Sequence, residues 1–361
     1  MSRGLLVLED GTAFEGELFG CECKTVGEVV FSTGMSGYQE NITNPSSEGQ
    51  VIIMSYPLIG NYGVNDMFNE SDLVHARGIV VREYCPCPSK MFGGALLSDF
   101  LKEKGIPAIS GIDTRELVLK LRVSGNMKGA IVPADADVAS VVKELKDMAQ
   151  PWEENLVAKV SCKDVSRHDN GKDLTIGVID CGIAASILRD LDSIFNVIVF
   201  PYDTPAEDIV SSGVQGVIVS PGPGNPAHPE MLATTVKTIE DLSSKMPIYG
   251  IGLGSQLVGL AMGGSSTKLK YGHHGANIPV KYCGRVYITA ENIGFTIDAD
   301  SLADTQLVVD QVNINDGAVE GTAHKTLPIM TSQYYPGVPS DCKDMPQLME
   351  RFINMVKEGK L

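Results

Sequence analysis

Basic residues and aromatic residues are both scarce in this sequence. Lysine and arginine together number 29 against 45 aspartates and glutamates, giving a formal charge of −16. A surface of that sign repels phosphate backbones and anionic lipid, which argues against nucleic acid and membrane as partners. Aromatics amount to 6% with a single tryptophan, so the cores must rest on Val, Ile, Leu, Ala and Met; at 43% hydrophobic content there is enough to build them. No stretch approaches the length of a membrane span. The opening MSRGLLVLEDG has an apolar run too short for a signal peptide and runs into acidic residues, so a cytoplasmic protein is expected. Internal repeats and low-complexity tracts are missing as well.

Cysteine is present without a metal-binding pattern. Eight cysteines in a cytosolic chain are expected to be reduced thiols. Cys21/Cys23 and Cys85/Cys87 have C-x-C spacing, tighter than the C-x2-4-C of structural zinc sites, and Pro86 stiffens the second pair. They are read as small buried or surface thiols, and no metal site is expected.

The length of 361 residues suggests two domains. In the first half, strands are expected at Gly4–Leu8, on to Phe19 after the Asp10-Gly11 turn, and at Gly27–Phe31, Val51–Met54 and Gly78–Val81. Helical periodicity marks Ala95–Glu103, Thr114–Leu121 and Val138–Ala149. Residues 1–150 therefore read as a mixed α/β domain, and the polar, weakly periodic stretch 151–172 as a linker. Residues 173–361 alternate strand and helix: Leu174–Asp180, Ala184–Leu191, Val197–Phe200, Gly216–Ser220, Pro229–Ser243, Pro247–Ile251, Ser255–Met262. That alternation predicts a doubly wound α/β domain with a parallel sheet. Strands of antiparallel character (Arg285–Ala290, Leu307–Asn313, Ile329–Ser332) and a helix at Met345–Glu358 complete it.

The most informative segment is Tyr249-Gly-Ile-Gly-Leu-Gly-Ser-Gln, a strand, a tight turn and a helix. Such an elbow lifts one residue above the sheet and aims a helix N-terminus at it, which is where nucleophiles are commonly placed. Here the elbow residue is Gly252. The dinucleotide fingerprint fails, because Ser255 stands where its third glycine belongs and no carboxylate follows about twenty positions later. Ser220-Pro-Gly-Pro-Gly-Asn-Pro ends a strand at the same sheet edge, and turns of this type expose N–H groups suited to an oxyanion or amide clamp.

With Lys270-Tyr-Gly-His-His-Gly-Ala-Asn-Ile-Pro-Val, Glu291-Asn-Ile-Gly-Phe and Gln333-Tyr-Tyr-Pro-Gly, these motifs in this order resemble the class I glutamine amidotransferase domain, and the Gly272-His-His-Gly-x-Asn form resembles its carbamoyl phosphate synthetase branch. The first half agrees independently. Phe31-Ser-Thr-Gly-Met-Ser-Gly-Tyr-Gln-Glu, Asn44-Pro-Ser, Tyr56-Pro-Leu-Ile-Gly-Asn-Tyr-Gly and Ser110-Gly-Ile-Asp-Thr-Arg-Glu-Leu are similar to the N-terminal domain of that synthetase's small subunit.

The resemblance implies a Cys–His–Glu triad, and this chain has none of the three. Gly252 stands at the Cys position, Tyr335 at the His and Gly337 at the Glu. A phenol with an ordinary pKa near 10 is no base at neutral pH, and triad members act as a unit. Further departures surround them: Ser255, Ile293 and Ile278 replace family histidines, and Ala184 and Ser186 replace Lys and Asn. The positions that hold glutamine in the family are kept: Ser46, Gly222, Gly224, Leu253, Gln256, Asn292, Gly294 and Phe295. Glycine and leucine there serve turn and core equally well. Cys181 reads as a structural thiol, and His273 and His274 as loop-packing residues.

The implied function is that of a small subunit lacking glutaminase activity, structural or regulatory, in an ammonia-using carbamoyl phosphate synthetase. Its partner is then a large subunit that carries ATP and magnesium and feeds pyrimidine and arginine synthesis. This chain holds no cofactor, and L-glutamine stays a candidate ligand. Two alternatives remain open: an active glutaminase with a relocated nucleophile, and a free-standing glutamine-binding protein.

Overall fold

The computed structural model describes residues 2–90, 93–339 and 345–358. The chain divides into two compact units, residues 1–153 with 270–275 and residues 154–269 with 276–361.

The first unit runs β1 (Arg3–Leu8), β2 (Ala13–Gly20), β3 (Thr25–Ser32), α1 (Tyr38–Thr43), β4 (Gln50–Met54), β5 (Leu58–Ile59), β6 (Gly78–Val80), β7 (Glu83–Tyr84), α2 (Leu97–Glu103), β8 (Pro107–Ser110), α3 (Thr114–Ser124), β9 (Met127–Pro133) and α4 (Val138–Asp147). Seven strands close into a barrel in the order β1-β2-β8-β6-β4-β3-β9. Closure leaves no unpaired edge. Side chains alternate along the strands: Val29, Phe31, Val51 and Ile53 enter one core with Leu6 and Leu8, while Val30, Ile52 and Ile79 face a second with Leu97 and Leu101 of α2. α4 lays Val141 and Leu145 against Val7, Ala130 and Val132. Asp113 and Asp137 cap α3 and α4 by accepting backbone N–H bonds, so each helix starts where its sequence offers a carboxylate.

The second unit comprises α5 (Val157–Val160), β10 (Ser166–His168), β11 (Thr175–Asp180), α6 (Ala185–Ile194), β12 (Asn196–Pro201), α7 (Ala206–Ser211), β13 (Val217–Val219), α8 (Pro229–Met231), α9 (Lys237–Leu242), β14 (Ile248–Ile251), α10 (Leu253–Ala261), β15 (Ser266–Tyr282), β16 (Arg285–Ile297), β17 (Leu307–Asn313), β18 (Val319–His324), β19 (Ile329–Ser332) and α11 (Leu348–Glu358). Its ten-stranded sheet has the order β10-β12-β11-β13-β14-β19-β18-β17-β15-β16. β12, β11, β13, β14 and β19 run parallel, as the β-α-β pattern predicts. α6 and α11 cover one face through Leu191, Phe195 and Phe352; α7, α9 and α10 cover the other through Ile209, Ile239 and Leu257. This mixed α/β unit is the doubly wound fold expected.

Several local expectations differ from the structure. The stretch 151–172, expected as a linker, holds α5 and the edge strand β10, whose backbone pairs with β12. A π-helical turn, Leu232–Val236, interrupts the helix expected over Pro229–Ser243. His273 and His274 lie on the long strand β15, not in a loop, and are buried. Asn292 and its neighbours sit inside β16 rather than at a strand end. Among the described residues, no three of Cys21, Cys23, Cys85 and Cys87 bring their sulfurs within 4.8 Å of one another. Cys342 lies outside the described residues.

Candidate functional site

β11 has β12 on one side and β13 on the other, so the strand order reverses there. Open α/β sheets bind ligands outside the carboxyl ends of their strands at such a switch point. The carboxyl ends of β11, β13, β14 and β19 are tied together by short bonds. Cys181 N–H donates to Ser220 Oγ at 2.9 Å, Gly254 N–H to the Ser220 carbonyl at 3.2 Å, and Gly252 N–H to the Ser332 carbonyl at 2.9 Å.

Two glycines of this edge are dictated by close approach. A Cβ on Gly222 would stand 2.1 Å from the Cys181 carbonyl oxygen, and one on Gly254 2.1 Å from that of Val219. No side chain fits such gaps, which is why the turn sequence has glycine there. Gly224 has φ of 95° and also needs glycine.

Gly252 differs. Its φ of 58° and ψ of −119° form a sharp strand-to-helix elbow, strained for any residue with a Cβ. Yet the nearest neighbours of a Cβ would be Pro221, at 3.2 Å, and the Gln333 carbonyl, at 3.7 Å. The elbow backbone is that of a nucleophile position, and it carries no nucleophile. Leu253 opens α10 directly behind it, so its N–H has no helical carbonyl ahead of it to bond. The N–H groups of this turn can offer donors to a developing negative charge.

Tyr335 and Gly337, which the resemblance sets at the other two positions of the triad, differ in their surroundings. Tyr335 donates its hydroxyl to Asp190 Oδ2 on α6 at 3.2 Å, and its ring packs with Ile278 and Tyr282 against the α6/α11 core. Burial, and then the Asp190 carboxylate, push its ionisation far above the ordinary phenol range, so it stays a neutral donor. Gly337 has φ of 78° and open space where a Cβ would be. Cys181 is fully buried; burial, with help from the Asp180 carboxylate, holds its thiol well above the usual value. A thiol sealed this way is not a nucleophile.

Of the expected glutamine positions in this unit, Leu253 and Gln256 sit on the first turns of α10, and both are buried. Gln256 Nε2 donates to the Phe295 carbonyl at 2.7 Å and to Gln333 Oε1 at 3.1 Å, and Gln333 Nε2 donates to Thr296 Oγ1 at 3.3 Å. Gln256 and Phe295 are thus brought together, and Gln333 is a partner that sequence reasoning quoted in its motif without assigning a role. Lys268 Nζ stands 5.6 Å from the Phe295 ring centroid. Asn292 and Gly294 are half-buried on β16 beside Ile293, which is buried. Ser255 is buried on α10, and Ala184 is the residue before α6, where no side chain caps the helix. In the first unit, Ser46 is buried in a 3-10 turn whose N-cap, Asn44, accepts its N–H at 2.9 Å. The Asn44-Pro-Ser motif is therefore an Asx turn.

Asp180 was also missed. It ends β11 buried, and its two carboxylate oxygens accept N–H bonds from Gly182, Ile183 and Cys162 at 2.8, 2.8 and 2.7 Å. It braces the turn from β11 into α6.

Residues 6–131 match the family described as carbamoyl-phosphate synthase small chain, CPSase domain, and residues 177–355 match glutamine amidotransferase class-I. The carbamoyl phosphate synthase small chain of Archaeoglobus fulgidus is 42% identical over 361 residues, covering 99% of each chain. That of Methanopyrus kandleri is 43% identical over 363 residues, again 99% of each. This chain belongs to the carbamoyl phosphate synthase small chain family. A pyrimidine-specific small chain from Halalkalibacterium halodurans is similar at 42% identity, covering 98% of this chain and 97% of that one. Among the described residues, no helix of this family member is long and apolar enough to cross a membrane.

Proposed function

We propose that this chain is a small subunit of carbamoyl phosphate synthase that releases no ammonia from glutamine. It serves instead as a structural or regulatory subunit of a cytoplasmic, ammonia-using complex with a large subunit. The observation that carries this reading is the elbow: its backbone is formed, and the residue at its apex is Gly252. The hydroxyl of Tyr335 bonded to Asp190 and the side-chain-free Gly337 support it, since restoring the thiol alone would leave no base. The sealed Cys181 speaks against a relocated nucleophile.

The large subunit would carry ATP and magnesium and commit its product to pyrimidines and arginine. The retained set of Ser46, Gly222, Gly224, Leu253, Gln256, Asn292, Gly294 and Phe295 is proposed to hold glutamine as a ligand rather than a substrate. The test is carbamoyl phosphate synthesis by the two-chain complex. Ammonium supports it and glutamine alone does not; any kinetic shift caused by added glutamine disappears in Asn292→Ala. Synthesis from glutamine at a rate comparable to that from ammonium would overturn the proposal.

A further inference from the structure

A second group of reactive side chains stands at the opposite end of the parallel strands, on β10 and α6. β10 is the edge strand of its sheet, four places along from β14 and the elbow. It reads Ser166-Arg167-His168 and pairs with β12. Successive side chains of a strand point to opposite faces, so Ser166 and His168 share a face and Arg167 takes the other. Ser166 Oγ and His168 Nε2 lie 3.4 Å apart. On the same face α6 brings Asp192, both of whose carboxylate oxygens stand 3.0 Å from His168 Nδ1. Asn170, just past the strand, donates from Nδ2 to Asp192 Oδ1 and to the Phe195 carbonyl, each at 3.0 Å. Its own N–H donates to Asn196 Oδ1 at 2.9 Å. The carboxylate is thus held by a side chain that is itself held.

A carboxylate only accepts, so the proton of a neutral His168 sits on Nδ1 and the lone pair of Nε2 faces the Ser166 hydroxyl. A hydroxyl at Nε2 and an acid at Nδ1 are the roles of a serine nucleophile, its general base and the group that orients the base. Sites of this kind are recognised by roles and geometry, not by chain position. At 3.4 Å the serine contact is long, as catalytic contacts commonly are before substrate binds. Ser166 is exposed, and His168 and Asp192 keep 28 and 27% of their side-chain surface, so the hydroxyl is open to solvent. We propose that Ser166, His168 and Asp192 form a hydrolytic site for activated carboxylic esters, separate from the Gly252 elbow. Ser166 Oγ adds to the ester carbonyl as its proton passes to His168 Nε2. The carbonyl re-forms, the bond to the leaving oxygen breaks, and that oxygen takes the proton from Nε2. Water then adds to the acyl-serine and gives a proton to Nε2; the bond to Oγ breaks, Oγ recovers that proton, and the acid leaves. An open site on an edge strand suits leaving groups stable as anions, such as phenolates. A primary amide must expel ammonia and is outside this class.

The test is hydrolysis of p-nitrophenyl acetate by the full chain, read as p-nitrophenolate release, with intact-mass and peptide mapping after treatment with a fluorophosphonate. Release by wild type is expected to exceed that of Ser166→Ala and of His168→Ala by at least about tenfold. One phosphonyl group is expected on Ser166, and His168→Ala should not take it up. Asp192→Asn should lower kcat with KM unchanged, because the amide no longer fixes the proton on Nδ1. Ser166 is exposed, so an unchanged thermal melt shows that Ser166→Ala folds. Wild-type release in Ser166→Ala would make another group the nucleophile and overturns the proposal. So does a wild-type chain that stays unlabelled by the fluorophosphonate, or takes the label on another residue.

Discussion

Gly222 and Gly252 lie at the same sheet edge and are glycine for different reasons. At Gly222 the fold forbids a side chain, because the Cys181 carbonyl occupies the place of a Cβ. At Gly252 the nearest obstacle is Pro221 at 3.2 Å, a distance a small adjustment relieves. The first glycine is demanded by packing. At the second, space would admit a Cβ, and it is the positive φ that favours glycine. The neighbouring glycines and the backbone bonds to Ser220 and Ser332 hold the elbow, whatever residue stands at position 252.

That contrast can be broken most severely at Gly222. Gly222→Ala should cost about 3 kcal/mol or fail to fold, the upper range for overpacking, as read by urea unfolding. A melt within about 0.5 kcal/mol of wild type would show that the turn relaxes freely. Gly252→Cys should fold with a loss of about 1–2 kcal/mol from the strained φ and remain without glutaminase activity. Adding Tyr335→His and Gly337→Glu supplies a base and its orienting carboxylate, and this triple variant is the one expected to gain measurable glutamate release. Strong activity from the single variant would mean that another residue acts as the base. Tyr335→Phe should lose about 1 kcal/mol through its bond to Asp190, with no change in the rate of carbamoyl phosphate synthesis from ammonium.

The smallest effect concerns pH. The Cys162 thiol is pushed up to about 12 by burial first and by Asp180 second. Its folded pKa lies above the unfolded one, so its contribution is complete below the ordinary thiol value of 9.0 and fades as pH rises toward about 12. Cys162→Ser should flatten the stability profile in that window, measured by unfolding at a series of alkaline pH values. An unchanged slope would show that Cys162 is not the titrating group.

Much of the second unit was readable because parallel strands are short apolar runs between helical stretches. β11, β13, β14 and α10 fall where their patterns place them. The barrel was less readable. β8 and β9 begin at Pro107 and Met127 without a clean alternation, and closure depends on pairing between strands far apart in sequence, such as β1 with β9. β15 was not legible because Gly272, Gly275 and Pro279 lower strand propensity; only its end, Val280–Tyr282, pairs with β17. At the site, the resemblance singles out Gly252, Tyr335 and Gly337. It does not reveal that Tyr335 turns to Asp190, 145 residues away, nor that Gln256 is already bonded to Gln333 and the Phe295 carbonyl. Those are consequences of packing, not of local pattern.

The central claim is that an intact elbow without its side chain performs no glutamine chemistry. Its most direct test incubates the chain with glutamine in the presence of the large chain, then measures free glutamate and the intact mass of the protein. The account predicts glutamate at the level of the enzyme-free control and an unmodified mass. Glutamate accumulating with time, or a covalent glutamyl adduct on any cysteine, would contradict it.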